Sequence, residues 1–224
     1  MNITIKTEKR GLVITVYSVI IILAVIMMMG ALIGLHQKHE TLAAWQPTTK
    51  PADLVSHGPT ACSTGNSAAM LTRSNEAAVL GGTGGTTKEG PQNSYYSRGW
   101  GSEGQWWQLS GLSTQGFEHI ELSFFARGSN TGPRDFRLEY STDGTNWRPL
   151  TDGNNVIITY VIDTNNRFHQ QGPYQLSDAI SNIEVLYIRF FNYSTQSVSG
   201  GTTQSSGTSY ITDITITGTV RKAG

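Results

Sequence analysis

The fold is decided by residues 119–147, HIELSFFARGSNTGPRDFRLEYSTDGTNW, which contain two runs of alternating side chains. Every second residue from Ile120 to Ala126 is apolar, and the same holds from Phe136 to Tyr140. A period of two is typical of a β-strand with one buried face. Asp143-Gly144 follows the second run and predicts a tight hairpin turn, because glycine adopts the positive φ that such turns require.

The same pattern recurs on both sides of this stretch. Alternating sets occupy residues 156–162, 186–190 and 210–216, and shorter strand-like runs lie near residues 77–80, 94–100, 105–109 and 147–150. The sequence shows no amphipathic helical stretch in this region. Eight to ten short strands separated by turns predict an all-β, antiparallel jelly-roll β-sandwich over residues 75–224.

A different segment precedes this domain. Residues 12–35 are an apolar run without a charged residue, long enough for one N-terminal transmembrane α-helix. More basic residues precede the apolar run than follow it. The positive-inside rule therefore predicts a cytoplasmic leader at residues 1–11 and a single-pass protein of the cell membrane with its C-terminal domain outside the cytoplasm. A cleaved secretory signal is the alternative, although its apolar core would normally be shorter.

The N-terminus permits one more interpretation. Lys9-Arg10-Gly11 followed by an apolar helix resembles the prepilin leader of type IV pilins, and most closely that of minor pilins. The resemblance implies processing after Gly11 and self-assembly of the released helix into a filament. The sequence departs from the family at the fifth residue after the glycine, where Val16 stands in place of the usual Glu.

Residues 36–74 are predicted to join the two parts. A helix is expected to continue through residues 36–45 and to end before Pro47, since proline interrupts a helix. A Pro-, Thr-, Ser- and Ala-rich linker is expected from Gln46 to about Ser74. Cys62, the only cysteine, falls in this linker and excludes an intramolecular disulfide.

The composition excludes several function classes. Sixteen basic and 16 acidic residues give a formal net charge of zero, which argues against a nucleic-acid partner. The sequence contains no H-E-x-x-H metal motif and no G-x-S-x-G nucleophile elbow. The Gly-rich residues 81–88 lack the G-K-[ST] of a phosphate-binding loop. The sequence therefore predicts a protein that is not an enzyme and needs no cofactor.

Four stretches carry a family resemblance, namely SRGW at 97–100, QWWQL at 105–109, RGSNTGPRDF at 127–136 and YSTDGTNW at 140–147. With the closing GTSYITDITITG at 207–218, they resemble a jelly-roll domain of secreted and surface proteins of bacteria, notably Firmicutes. The resemblance covers roughly residues 75 to 220. It implies the sandwich fold and a surface role but no particular ligand.

Exposed aromatic and basic side chains are the candidates for a binding site, because sugar rings stack on aromatic faces. The candidate ligand-binding residues are Tyr96, Trp100, Trp107, Arg127 and Arg134. Packing in the core is the alternative for the tryptophans. An Arg–Asp bridge that fixes the loop before Asp135 is the alternative for the arginines. A structural Ca²⁺ held by Glu76 and Asp213 is a further hypothesis, since hard cations bind several oxygens.

Together these patterns favour a non-enzymatic, membrane-anchored surface module that binds a glycan or a protein partner. Residues 12–35 would provide the membrane contact. The alternative is a minor-pilin-like structural subunit of a surface filament, processed after Gly11.

Overall fold

The structure, a computed structural model, describes residues 39–47, 60–65, 68–74, 80–83, 93–163 and 167–222. The predicted transmembrane helix at 12–35, the leader with Gly11, and Glu76 lie outside these ranges. No helix among the described residues is long and apolar enough to span a membrane.

The first of two antiparallel sheets is built around the long strand that closes the domain. Its seven strands are β1 (His39–Trp45), β3 (Thr64–Gly65), β5 (Leu80–Thr83), β6 (Asn93–Arg98), β8 (Phe117–Gly128), β12 (His169–Gln175) and β14 (Thr208–Val220). Their order is β12-β8-β14-β1-β3, and β6 also pairs with β14 and carries β5 on its other side.

The strands of the second sheet are β2 (Thr60–Ala61), β4 (Met70–Arg73), β7 (Trp106–Leu112), β9 (Asp135–Ser141), β10 (Arg148–Pro149), β11 (Thr159–Val161) and β13 (Leu186–Asn192). Their order is β10-β9-β13-β7-β4-β2, and β11 pairs with β9. One short 3-10 helix, Asp178–Ile180, is the only helix in the described part of the chain. The prediction of an all-β antiparallel sandwich is confirmed.

The core lies between the two sheets and follows the alternation seen in the sequence. Ile120, Leu122 and Phe124 of β8 are fully buried, and so are Leu138 of β9 and Phe190 of β13. The ring centroids of Phe124 and Phe190, which belong to different sheets, are 4.8 Å apart in an edge-on arrangement. The apolar residue at every second position therefore supplies the contact that holds the sheets together.

Residues 39–45 form a strand, and the prediction of a helix there is wrong. β1 pairs with β14 from His39 opposite Thr219 to Trp45 opposite Ile214. β14 is long, and β6 pairs only with its first residues, 208–211. The remaining backbone groups on that edge of β14 need a partner, and β1 provides it. This tertiary pairing outweighs the helical preference of the Leu-Ala-Ala sequence.

The described parts of the predicted linker also belong to the sandwich. β4 pairs with β7, and Leu71 is fully buried. The Trp45 indole donates a hydrogen bond to the Thr60 carbonyl at 3.1 Å, which connects β1 to β2. Cys62 forms no disulfide, and burial raises the pKa of its thiol. Residues 39–224 form one compact unit, so the domain begins well before the predicted boundary at residue 75.

Candidate functional site

The outer face of the second sheet carries charged and aromatic side chains on two neighbouring strands. On β9, the side chains of Arg137 and Glu139 alternate with core residues and therefore lie on the face away from the core. On β13, Arg189 and Phe191 occupy the equivalent positions. The register places Arg189 beside Glu139 and Phe191 beside Arg137. Cross-strand neighbours lie on the same face, so the four side chains meet.

Glu139 connects the two arginines. Its Oε1 accepts a hydrogen bond from Arg137 Nε at 2.6 Å, and its Oε2 accepts one from Arg189 Nε at 2.5 Å. The Glu139 side chain is only 4% exposed, whereas that of Arg137 is 38% exposed and that of Arg189 is 16% exposed. Two positive charges and one negative charge leave the group with a net charge of +1. The carboxylate is thus a buried support, and the guanidinium groups reach the solvent.

Aromatic rings pack against the guanidinium groups. The Arg189 guanidinium carbon lies 4.2 Å from the Trp147 ring centroid and 4.7 Å from that of Phe191. The Arg137 guanidinium carbon lies 4.8 Å from the Phe191 ring. These contacts are within the range of cation–π interactions. We name Arg137, Glu139, Trp147, Arg189 and Phe191 the arginine–aromatic ladder.

The ladder continues onto β7, the other neighbour of β13. Phe191 pairs with Trp106, and Arg189 pairs with Gln108. Both β7 residues are half-buried, and they alternate with the fully buried Trp107 and Leu109. A planar indole and an amide therefore extend the ladder across three strands.

A pocket of about 550 Å³ opens at the other end of the ladder, where Trp147 is one of its lining residues. Asp143 and Asn146 of the β9–β10 loop also line it. The Asp143 carboxylate accepts hydrogen bonds from the Thr145 and Asn146 backbone N–H groups at 2.8 and 2.7 Å and from the Asn146 amide at 2.7 Å. These bonds hold the pKa of Asp143 well below its usual range. The loop is thereby fixed, and Trp147 with it.

This loop is the hairpin connection predicted from Asp143-Gly144. Gly144 has a φ of 72°, the left-handed conformation expected of it. The connection between β9 and β10 spans residues 142–147 and is longer than a tight two-residue turn. The extra residues place Trp147 beside Arg189.

Trp100 and Trp107 lie in the core. Both side chains are fully buried, and their ring centroids are 5.9 Å apart. The Trp107 indole donates to Ser209 Oγ at 2.9 Å, and the Trp100 indole donates to the Ser97 carbonyl at 3.0 Å. Each polar atom of the two rings is therefore satisfied inside the protein. Packing, the alternative given for these tryptophans, accounts for their geometry.

Tyr96 and Arg127 are brought together on the first sheet, on either side of Tyr210. The rings of Tyr96 and Tyr210 are 5.7 Å apart, and the Arg127 guanidinium lies 4.0 Å from the Tyr210 ring centroid. Phe168 packs edge-on against Tyr210 at 6.4 Å. We name these four residues the Tyr210 cluster. Arg127 is buried, so this cluster offers a ligand less accessible charge than the ladder does.

Arg134 forms the predicted bridge with Asp135. Its Nε and Nη2 atoms donate to the two carboxylate oxygens at 2.8 and 3.2 Å, and this pairing raises the pKa of Arg134. Ser194 Oγ donates to the same carboxylate at 2.6 Å. The bridge joins the loop before β9 to the loop after β13. The five candidate residues from the sequence are thus divided among the core, the Tyr210 cluster and this bridge.

The calcium hypothesis receives no geometric support from the described residues. They contain no group of three or more His, Cys, Asp or Glu side chains that could hold a metal ion. Asp213 lies at a bulge of β14, with a φ of 47°, and Glu76 lies outside the described part of the chain. Burial raises the pKa of the Asp213 carboxyl.

The substitution Asp213→Asn is therefore expected to keep or raise Tm at neutral pH. A raised pKa means that the folded state disfavours the ionised carboxylate, and asparagine removes this cost while it tolerates a positive φ. The difference should vanish below about pH 3, where aspartate is protonated in both states. Thermal unfolding with EDTA and with Ca²⁺ is the measurement. A Tm rise with Ca²⁺ that the substitution abolishes would contradict this prediction and support a calcium site.

Of the ladder residues, only Trp147 belongs to the aromatic side chains that the sequence offers for a binding surface, and none is among the five candidate residues. Arg137 and Glu139 lie on the polar side of a predicted strand, and the sequence predicts no role for Arg189 or Phe191. The available signal was the outward-facing pattern Arg-x-Phe on β13, which places an aromatic ring on the solvent side of a strand. Nothing local in the sequence indicates that β13 lies next to β9.

The two packed antiparallel sheets place the chain among the β-sandwich domains. The model of the F5/8 type C domain family matches residues 60–204, which is more than half of the chain. The chain therefore belongs to the F5/8 type C domain family. The matched region begins before residue 75, in agreement with the early strands of the sandwich.

Several solved structures resemble the chain at low sequence identity. The CBM22-1 xylan-binding domain of Paenibacillus barcinonensis Xyn10C is 11% identical, with a TM-score of 0.44 over 84% of this chain and 99% of that domain. The module TmCBM61, solved with β-1,4-galactotriose, is 11% identical, with a TM-score of 0.38 over 67% and 88%. The C-terminal family 22 module of Clostridium thermocellum Xyn10B is 17% identical, with a TM-score of 0.35 over 69% and 87%.

No curated protein matches the sequence.

Proposed function

We propose that this chain is a non-enzymatic glycan-binding module whose binding surface is the arginine–aromatic ladder with Trp106. The observation that carries the proposal is the arrangement of Phe191, Trp147 and Trp106 around two solvent-reaching guanidinium groups. Aromatic faces provide stacking surfaces for sugar rings, and guanidinium groups donate hydrogen bonds to sugar oxygens. A buried carboxylate fixes the arginines, so the surface is formed before a ligand binds.

The pocket beside Trp147 supports the same proposal. It lies at one end of the ladder, and Trp106 lies at the other. A linear ligand could thus contact several aromatic rings in succession. A surface that extends from the pocket beside Trp147 to Trp106 suits an oligosaccharide better than a single small molecule.

The proposal includes a surface location. Residues 12–35 would tether the module to the membrane, with the sandwich outside the cytoplasm. Its support is the apolar run and the distribution of basic residues around it. The alternative of a filament subunit processed after Gly11 rests on the leader alone and stays a prediction.

Alanine substitution of Trp106 or Phe191 is expected to weaken glycan binding at least tenfold, which is about 1.4 kcal/mol. The reason is the loss of a stacking face at the centre of the surface. Isothermal titration calorimetry against a panel of soluble polysaccharides measures the affinity, with the full chain kept in a detergent that carries no sugar. Thermal unfolding of each variant shows whether the fold is retained.

Two controls locate the site. Tyr193→Ala removes a 40% exposed aromatic residue outside both clusters and should leave the affinity unchanged. Tyr96→Ala alters the Tyr210 cluster and should also have little effect. Loss of binding with Tyr96→Ala but not with Phe191→Ala would move the site to the first sheet. Absence of binding to every glycan in the panel would refute the proposed function.

A further inference from the structure

We infer that the ladder recognises the carboxylate of an acidic sugar, a hexuronic acid residue within a glycan. This inference rests on the proposed function and specifies its ligand class. It follows from the hydrogen bonds that the two arginines make and from those that they leave available.

Each arginine of the ladder uses only its Nε atom in the protein. Arg137 Nε and Arg189 Nε donate to the two oxygens of Glu139. Among the described residues, no hydrogen bond to another protein atom involves an Nη atom of either arginine. These Nη atoms are also absent from the buried polar atoms that lack a partner in this part of the chain. Both guanidinium groups therefore present their Nη donors to solvent.

This donor arrangement fits a carboxylate. A guanidinium group binds a carboxylate through two parallel N–H donors, and such charge-assisted bonds are stronger than bonds to neutral hydroxyls. Glu139 neutralises only one of the two positive charges, and the remaining charge of +1 attracts an anion. The nearest acid along β9 is Asp135, which Arg134 already pairs. A neutral sugar would leave this charge unmatched.

The neighbouring rings define the rest of the ligand. The Phe191 ring contacts both guanidinium groups, and the Trp147 ring contacts that of Arg189. A sugar ring that packs beside these aromatic side chains would hold its carboxylate near an adjacent guanidinium group. A simple inorganic anion would gain nothing from these rings. The ladder thus combines the two recognition elements that an acidic sugar needs.

The test compares two forms of one polysaccharide. Polygalacturonate carries a carboxylate on each sugar, and its highly methyl-esterified form has the same backbone with most of that charge removed. The full chain in a sugar-free detergent is expected to bind polygalacturonate at least about tenfold more tightly, the order of one charge-assisted hydrogen bond. Arg137→Gln removes one charge together with its paired donors, and Arg189→Lys keeps the charge but lacks the paired donors, so each variant should lose this preference.

Two controls separate specific recognition from general attraction between charges. Arg221→Gln removes a positive charge from a 47% exposed side chain at the end of the first sheet and should leave the preference intact. Dextran sulfate, a polyanion without carboxylates, should bind more weakly than polygalacturonate. Equal binding of both polyanions, or an equal loss with Arg221→Gln, would overturn the inference.

The outcomes also separate this inference from the proposed function. Equal affinity for the charged and esterified forms, with both lost in Phe191→Ala, would overturn acidic-sugar recognition and keep glycan binding. Binding only to neutral polysaccharides would do the same. Absence of binding to every glycan would overturn both. Because Arg137 is the more exposed of the two arginines, its variant is expected to stay folded and to give a usable result if Arg189→Lys unfolds.

Discussion

A fragment that begins at residue 75 is expected not to fold, whereas one that begins at residue 39 is expected to fold cooperatively. The shorter fragment lacks β1 to β4, which contribute Leu42, Trp45 and Leu71 to the core. Each of these side chains contributes about 2–3 kcal/mol by burial. Their sum is comparable with the 5–15 kcal/mol by which a typical domain is stable.

The backbone hydrogen bonds of the sheets lead to the same expectation. Without β1, residues 214–219 of β14 lose their hydrogen-bonded neighbour, and without β4 one side of β7 is open. Exposed edges of this kind pair with other chains, so the fragment 75–224 should aggregate or remain disordered. Circular dichroism and the dispersion of amide resonances distinguish the two fragments. A cooperative thermal transition of the fragment 75–224 would contradict the expectation.

The second large effect is expected at two adjacent tryptophans. Trp107→Ala should destabilise the domain by about 3–5 kcal/mol, because it leaves a cavity where a fully buried ring stood. It also leaves Ser209 Oγ without the indole donor. Trp107→Phe should cost less, about 1–3 kcal/mol, since it keeps most of the apolar volume. Urea unfolding of residues 39–224 measures these differences.

Trp106→Ala is the matched control. The two residues are neighbours in the chain, and their side chains lie on opposite faces of β7. Trp106→Ala should impair glycan binding with a small effect on stability, and Trp107→Ala should act in the opposite way. If both substitutions changed only stability, the half-buried indole of Trp106 would have a packing role, and the binding surface would not extend onto β7.

The alternation of residues predicts much of the sandwich because the physics of a half-buried strand is local. The runs at 120–126, 136–140 and 186–190 are strands, and their apolar residues form the core. Residues 39–45 were not predictable in this way. Their Leu-Ala-Ala sequence favours a helix, and only the unpaired length of β14 makes them a strand.

The candidate site was harder to predict from the sequence than the fold was. Adjacent tryptophans must point to opposite faces, but their order does not show which one faces the core. The ladder depends on a contact between Glu139 and Arg189, which are 50 residues apart in the chain. Such a pairing is set by the order of strands in the sheet. The spacing of residues along one strand does not reveal this order.

The support that Glu139 gives to the two arginines has a consequence for conformational entropy. A free arginine side chain loses about 2 kcal/mol of rotamer entropy when it becomes fixed in one orientation. In this protein, Arg137 and Arg189 lose much of that freedom during folding, when their Nε atoms bond to Glu139 and their planes stack on Phe191 and Trp147. An arriving ligand then meets side chains that are already ordered, and more of its interaction energy remains as affinity.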